Sequence, residues 1–279
     1  MRTLASAALS RAASGVPEGA VRRFRSAFGG AGRSVLPFLV LTAVWWAVKI
    51  LLRLNSTILP SPVEVVSSSW PLVREGILVD DLSASLGRLL VGSALGILVG
   101  VSIGLLIGSN RLVSVTFRPF LNALQGVSGI AWLPMAVIWL GYRGITIEAL
   151  ILYGVLSPVI FNTVIGVRTV PVRYADAVRV LGGGRWYVFF HVWLPGALPS
   201  ILQGIRLGIA YGWRAVIAAE MLMSIGGIGY LLFESQTFHQ TSRIVLGMAI
   251  IGLLWVFMDQ AFLRPIERFT VERWGMVQR

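Results

Sequence analysis

Residues Leu89–Asn110 read LLVGSALGILVGVSIGLLIGSN, 22 positions without a charged side chain. At a rise of about 1.5 Å per residue, a helix of this length crosses the hydrocarbon core of a bilayer, about 30 Å thick. Glycines stand at 87, 92, 96, 100, 104 and 108, one step of five and then four steps of four. That spacing sets a groove along one helix face. Small residues four apart let helix backbones approach closely inside lipid, so the groove reads as a packing surface rather than a ligand site.

Comparable apolar stretches lie on either side of this run. Six spans are expected, at Ser34–Leu52, Ser83–Ser109, Pro119–Gly141, Ala149–Val167, Ala197–Met223 and Ile244–Leu263, and the 24 uncharged residues of Pro119–Tyr142 rank with Leu89–Asn110 as the clearest. The whole chain of 279 residues is 56% hydrophobic and 13% charged, against about 25% charge in an ordinary soluble domain. Mean hydropathy is +0.79. The fold class is all-α, a polytopic bundle of membrane helices. The segment between the first two spans, LPSPVEVVSSSWPLVREGILVDD (residues 59–81), reads as an external connection with one short helix over Val63–Glu75.

The net charge of +12 is compatible with phosphate binding, but the arginines punctuate apolar runs and do not cluster with aromatics on a polar face, so nucleic acid is excluded as a partner. Basic residues are instead retained on the inner side of a membrane. With the N-terminus inside, sixteen fall on inner segments: Arg2, Arg11, Arg22, Arg23, Arg25, Arg33, Arg111, Arg118, Arg168, Arg173, Arg179, Arg185, Arg264, Arg268, Arg273 and Arg279. Only Arg53, Arg74, Arg143 and Arg243 fall outside. Both termini are therefore expected in the cytoplasm. The Arg- and Ser-rich stretch 1–33 has transit-peptide composition, and its LASAAL run is too short for a signal sequence, so it reads as a basic cytoplasmic tail preceding a membrane domain over 34–279.

There is no cysteine, which removes disulfides, thiol nucleophiles and Cys-based metal sites. His191 and His239 belong to no spaced ligand set, and no metal is expected. The single lysine, Lys49, follows no G-x-x-x-x-G stretch, so the chain carries no phosphate loop of its own. An intramembrane enzyme lacks a nucleophile–base pair. A secondary transporter or channel remains the alternative; Pro134 and Pro158 within spans favour it, while the internal repeat and broken-helix pair it calls for are not evident.

The segment Arg168–Pro195 reads RTVPVRYADAVRVLGGGRWYVFFHVWLP. Pro171 suits a first helical turn and Gly182-Gly183-Gly184 a helix end, so a helix–turn–helix is expected against the inner face. This segment resembles the EAA loop of binding-protein-dependent ABC importer permeases, whose pattern is E-A-A, three residues, G, nine residues, I-x-L-P. Asp176-Ala177-Val178 fills the first three places, Gly182 the glycine, and Val192-Trp193-Leu194-Pro195 closes the pattern. Asp for Glu and Val for the second Ala are its two departures. Ile130–Gly141, His191–Leu222 and Gly226–Ser235 are similar to the branch that serves nitrate, sulfonate and taurine, and the resemblance runs from about Leu59 to the C-terminus.

The resemblance implies a type I ABC importer permease in a bacterial inner membrane: a transport subunit without covalent chemistry or a cofactor of its own. It implies a homodimer, an ABC ATPase dimer that holds ATP and Mg, and an extracytoplasmic solute-binding protein. Asp176, Ala177, Val178, Gly182, Leu194 and Pro195 would form the loop that couples to the ATPase.

Six ionisable residues lie in or near the spans: Arg206, Arg214, Glu220 and Asp259 within them, Arg88 and Glu148 near their ends. An ionised side chain at mid-bilayer costs about 2.5–3.5 kcal/mol on insertion scales, so each should meet a partner or a watered path. The first four are translocation-path candidates; buried ion pairs are the competing reading. For Arg214, pairing with Glu220 or Asp259 is expected ahead of a solute contact. Arg206 and Glu220 are expected to be structural.

Overall fold

The computed structural model describes residues 30–267, with side chains placed over 36–266. The basic tail lies outside the described residues up to position 29, as do Arg268, Arg273 and Arg279. The chain divides into two units, one ending at Glu64 and one beginning at Val65.

In the first unit, α1 (Gly30–Leu51) carries the first expected span. Over its described side chains, Leu36–Leu51, this 22-residue helix is apolar. Helix α2 (Pro62–Arg74), whose first three residues end this unit and whose remainder belongs to the second, opens with a capping box. Ser61 N–H donates to Glu64 Oε2 at 2.9 Å, and Glu64 N–H donates back to Ser61 Oγ at 3.2 Å. Two orphan donors are satisfied reciprocally, and Pro62 at the first helical position loses no bond. Lys49 Nζ lies 3.0 Å from Glu64 Oε2, and Ser56 Oγ donates to Oε1 at 3.0 Å. The Ser61 amide, then Lys49, hold the Glu64 carboxyl down from an ordinary 4.5 to about 2.

The second unit holds α3 (Ile77–Ser109), α4 (Arg111–Gly126), α5 (Leu133–Leu140), α6 (Gly144–Thr169), α7 (Val172–Val180), α8 (Arg185–Met223), α9 (Ile228–Thr237) and α10 (Thr241–Ile266). Helices α3, α6, α8 and α10 are long and apolar enough to cross a membrane. Helix α6 packs along both α3 and α8.

The reason is steric. Helix α6 presents Ile151, Val155, Val159, Thr163 and Val167, all four residues apart, to the α3 glycines. A methyl on Gly92 would stand 2.7 Å from Ile151 Cβ, on Gly96 2.9 Å from Val155 Cβ, and on Gly104 2.6 Å from Thr163 Cβ. A β-branched ridge fills a glycine groove, and close contact supplies the attraction that apolar burial cannot supply between helices in lipid. Helix α8 grips the other side of α6 in the same way: a methyl added to Gly204 would stand 2.7 Å from Asn162 Cβ, on Gly208 3.0 Å from Val159 Cγ2, and on Gly212 3.0 Å from Val155 Cγ2. Val155 and Val159 are completely buried between the two grooves.

The expected straight span over Pro119–Gly141 is replaced by a broken one. Helix α4 stops at Gly126, Val127 and Ser128 are extended, a 3-10 turn covers Gly129–Trp132, and α5 leaves with a bend of 88°. Pro134 has no N–H for a preceding turn and sits where a new helix starts. The Tyr153 hydroxyl, on α6, lies 2.9 Å from Leu124 O and 3.1 Å from Val127 O and so tethers the carbonyls that the break releases. Arg168, also on α6, donates to Ser114 Oγ of α4.

Candidate functional site

The segment between α6 and α8 is exposed over most of its length. Pro171 is the residue before α7, and Ala175 is the helix's one fully buried position, so α7 rests on the body by a small residue. Asp176 and Ala177 face outward; Asp176 Oδ1 accepts from Arg179 Nη1 at 2.9 Å, with both side chains more than half exposed or nearly so. A pair this exposed contributes at most about 1 kcal/mol.

Gly182 adopts φ +85°, a conformation that a side chain disfavours, and lets Gly182 N–H reach Arg179 O at 2.9 Å and Gly183 N–H reach Val178 O at 2.9 Å. Val178 is half-buried, and a methyl on Gly183 would stand 2.5 Å from its Cγ1. The valine that departs from the EAA pattern thus fills the turn and is not on the outward tip. That tip is Val180 and Leu181, each 87% exposed.

The second helix of the expected helix–turn–helix is the start of a span. From Arg185 the chain runs helically for 39 residues to Met223, and Leu194 and Pro195 lie inside this rod, half-buried. A π turn over Phe189–Trp193, closed by Leu194 N–H to Phe189 O, accommodates Pro195 without ending the helix. The same device recurs in α10, where a π turn at Asp259–Leu263 precedes Pro265.

Three of the four path candidates are satisfied by partners. Glu220 is completely buried; it accepts from Arg88 Nη1 at 2.6 Å, from Ser85 Oγ at 2.8 Å and from Gly229 N–H at 3.1 Å. Arg88 also donates to Gly226 O and Ile225 O, Ser85 Oγ accepts from Ile228 N–H, and Asp81 Oδ1 accepts from Gly227 N–H at 2.7 Å. Side chains from the start of α3 therefore clamp the turn between α8 and α9, where Gly227 adopts φ +111°. Asp81, Ser85 and Arg88 stand four and three residues apart, a spacing that places them on one helix face and is readable only when the three are taken together and not as isolated charges.

Arg206 holds Asp259 with two bonds, Nε to Oδ1 at 2.8 Å and Nη2 to Oδ2 at 3.0 Å, and Arg264 Nε adds a third at 2.9 Å. Arg214 pairs with neither expected carboxylate, because Arg88 has taken Glu220 and Arg206 has taken Asp259. It is exposed on α8, its guanidinium 5.4 Å from the Tyr211 ring centroid. Gln203, Leu207 and Tyr211 are exposed along with it, at spacings of four, four and three, so a stripe with three polar side chains and one leucine runs down one side of an apolar span. Among the described residues no three His, Asp or Glu side chains converge as metal ligands would.

Four helices long and apolar enough to cross a membrane, with an exposed apolar tip on α7, define the class: a multi-pass helical membrane protein. The chain belongs to the binding-protein-dependent transport system inner membrane components, whose family model matches residues 95–261. It is 31% identical to the putative aliphatic sulfonates transport permease protein SsuC of Bacillus subtilis over 88% of each chain. It is also 31% identical to the taurine transport system permease protein TauC of Escherichia coli, covering 86% of this chain and 88% of that one. The nitrate import permease protein NrtB of Synechocystis is 30% identical over 86% and 89%. In structure, a chain of the inward-facing MetNI methionine ABC transporter superposes with a TM-score of 0.61 at 15% identity, covering 72% of this chain and 98% of that one. At that identity the likeness concerns the fold alone.

Proposed function

We propose that this chain forms the translocation path of an ATP-driven importer for a small oxyanion-bearing solute, a sulfonate, taurine or nitrate, and that α7 is the contact through which a separate ATPase moves it. The observation that carries this reading is the tip of α7: Val180 and Leu181 are almost fully exposed beside an Asp176–Arg179 pair, on a short helix followed directly by a 39-residue rod into the membrane. Exposed leucine and valine on a protein that has lipid available elsewhere mark a surface meant for another protein. The names of the relatives support the solute class. ATP and Mg reside in the partner, a solute-binding protein delivers from outside, two copies of this chain enclose the path, and both termini lie in the cytoplasm of a bacterial inner-membrane protein.

Within the path, the stripe of Gln203, Tyr211 and Arg214 is the solute-facing side of α8. Arg214 is the path candidate that stays free of a carboxylate, and a guanidinium fork matches a pair of oxygens on the oxyanion it would meet. Glu220, Arg206 and Asp259 hold the bundle together around it.

Purified full-length permease, reconstituted with its ATPase and binding protein, tests both parts. Asp176→Lys and Gly182→Pro should leave the protein inserted and cut ATPase co-purification at least about ten-fold, a loss of roughly 1.4 kcal/mol. Arg214→Ala should keep the ATPase bound and lower uptake of an anionic solute. If uptake followed an ion gradient and ignored ATP, the importer reading would be wrong; if both α7 variants bound the ATPase normally, the docking role would be.

A further inference from the structure

Beside α7 lies a cleft of about 1080 Å³ that the importer reading does not use. Its size is at the upper end of ligand pockets, about 300–1,000 Å³. The cleft has two chemically different ends. Along α3 its wall is apolar, from Leu105 and Leu106, and Phe189 and Trp193 of α8 face them. At the end of α3 it turns basic: Arg111, Arg179 and Arg185 line it, together with Ser109 and Asn110, and no acidic side chain does. Arg179 is engaged by Asp176, whereas Arg111 and Arg185 form no ion pair among the described residues.

We propose that this cleft binds one anionic phospholipid, its phosphate between Arg111 and Arg185 and an acyl chain along Leu105, Leu106 and Trp193. The inference stands on the cleft's polarity and on α3 and α8 being membrane spans, independently of the docking role of α7. Guanidinium forks match phosphate oxygens in pairs, and basic pockets between membrane helices favour anionic head groups. A soluble anion would use the basic end and leave the apolar wall wet; a zwitterionic lipid would fill the wall but bring its ammonium group against the three arginines of the lining, with no acidic side chain there to receive it. The amphiphile that satisfies both ends carries a net negative charge. Bound there, it would sit between the end of α3, the start of α8 and the flank of α7.

The test uses the full chain, delipidated in detergent, alone and with its ATPase, and counts bound lipid by native mass spectrometry with phosphatidylglycerol and phosphatidylcholine of equal chain length. The expected result is one tightly retained lipid with a preference of about ten-fold for phosphatidylglycerol. The preference should fall to near parity in Arg111→Gln/Arg185→Gln and survive in Arg111→Lys/Arg185→Lys, with the thermal transition of the wild type in both. Equal retention of the two lipids, or an unchanged preference in the glutamine variant, overturns the proposal. Displacement of the lipid by millimolar inorganic phosphate would assign the basic end to a free anion instead. Loss of the preference on adding the ATPase would assign the cleft to the protein interface, and either result overturns it.

Discussion

Glu220 illustrates how a single carboxylate organises a membrane bundle. It is buried, and its oxygens are filled by Arg88, Ser85 and the Gly229 amide, donors from α3 and α9. Removing one partner of a buried pair leaves the other charge uncompensated, at a cost of about 3–5 kcal/mol. Glu220→Ala should therefore lower the thermal transition in micelles sharply, and Glu220→Gln, which keeps an acceptor for Arg88, should lower it less. Equal transitions for the alanine variant and wild type would show that the clamp is idle. Glu64 offers a contrast outside the spans. Its carboxyl is held at about 2 against an ordinary 4.5, so the folded state favours the charged form. Stabilisation from Ser61 and Lys49 is complete above about pH 5 and is lost as pH falls from there through 2. A carbon-13 titration of Glu64 should show a midpoint far below 4, moving up towards the ordinary value in Lys49→Ala.

Among the elements, the contact of α6 with its two neighbours sets which glycines matter. Gly100 has Val159 Cγ1 at 2.8 Å from an added methyl, whereas Gly87 has nothing within 4 Å. Gly100→Leu should destabilise by about 1–3 kcal/mol or more through overpacking, and Gly87→Ala should be neutral or stabilising, since alanine is the better helix former. Parallel denaturation of the two variants checks the contrast. The α3 groove was legible because four-residue spacing is a property of one segment. Its counterpart on α8, Gly204, Gly208 and Gly212, had the same signature, yet the charges at Arg206 and Arg214 drew the reading of that span. The break after Gly126 was not legible, because hydropathy sums over a window and ignores whether the chain turns inside it. Its tether, Tyr153, is 26 residues from Val127. The turn after α7 was legible through Gly182, whose positive φ favours that residue type. The continuity through Pro195 was not, since a proline reads as a helix end unless a π turn takes up its ring.

At the scale of the molecule, the excess of arginine on one set of loops expects both ends in the cytoplasm. With no native cysteine, single-cysteine variants report directly. Ser56→Cys should react with an impermeant maleimide from outside, and Leu181→Cys only after the membrane is opened; the reverse pattern would invert the topology. The 39 residues of α8 make a rod about 58 Å long. Its near end follows the α7 turn and its far end carries Glu220, so one helix joins the two. A tilt of about 5° displaces one end by about 5 Å relative to the other. On the coupling proposed above, α8 would be a lever with its joint, the widened turn at Phe189–Trp193, set close to the driven end. A stiff joint would deliver the stroke to the Ser224–Gly227 turn, and a slack one would act as a clutch that uncouples the two ends.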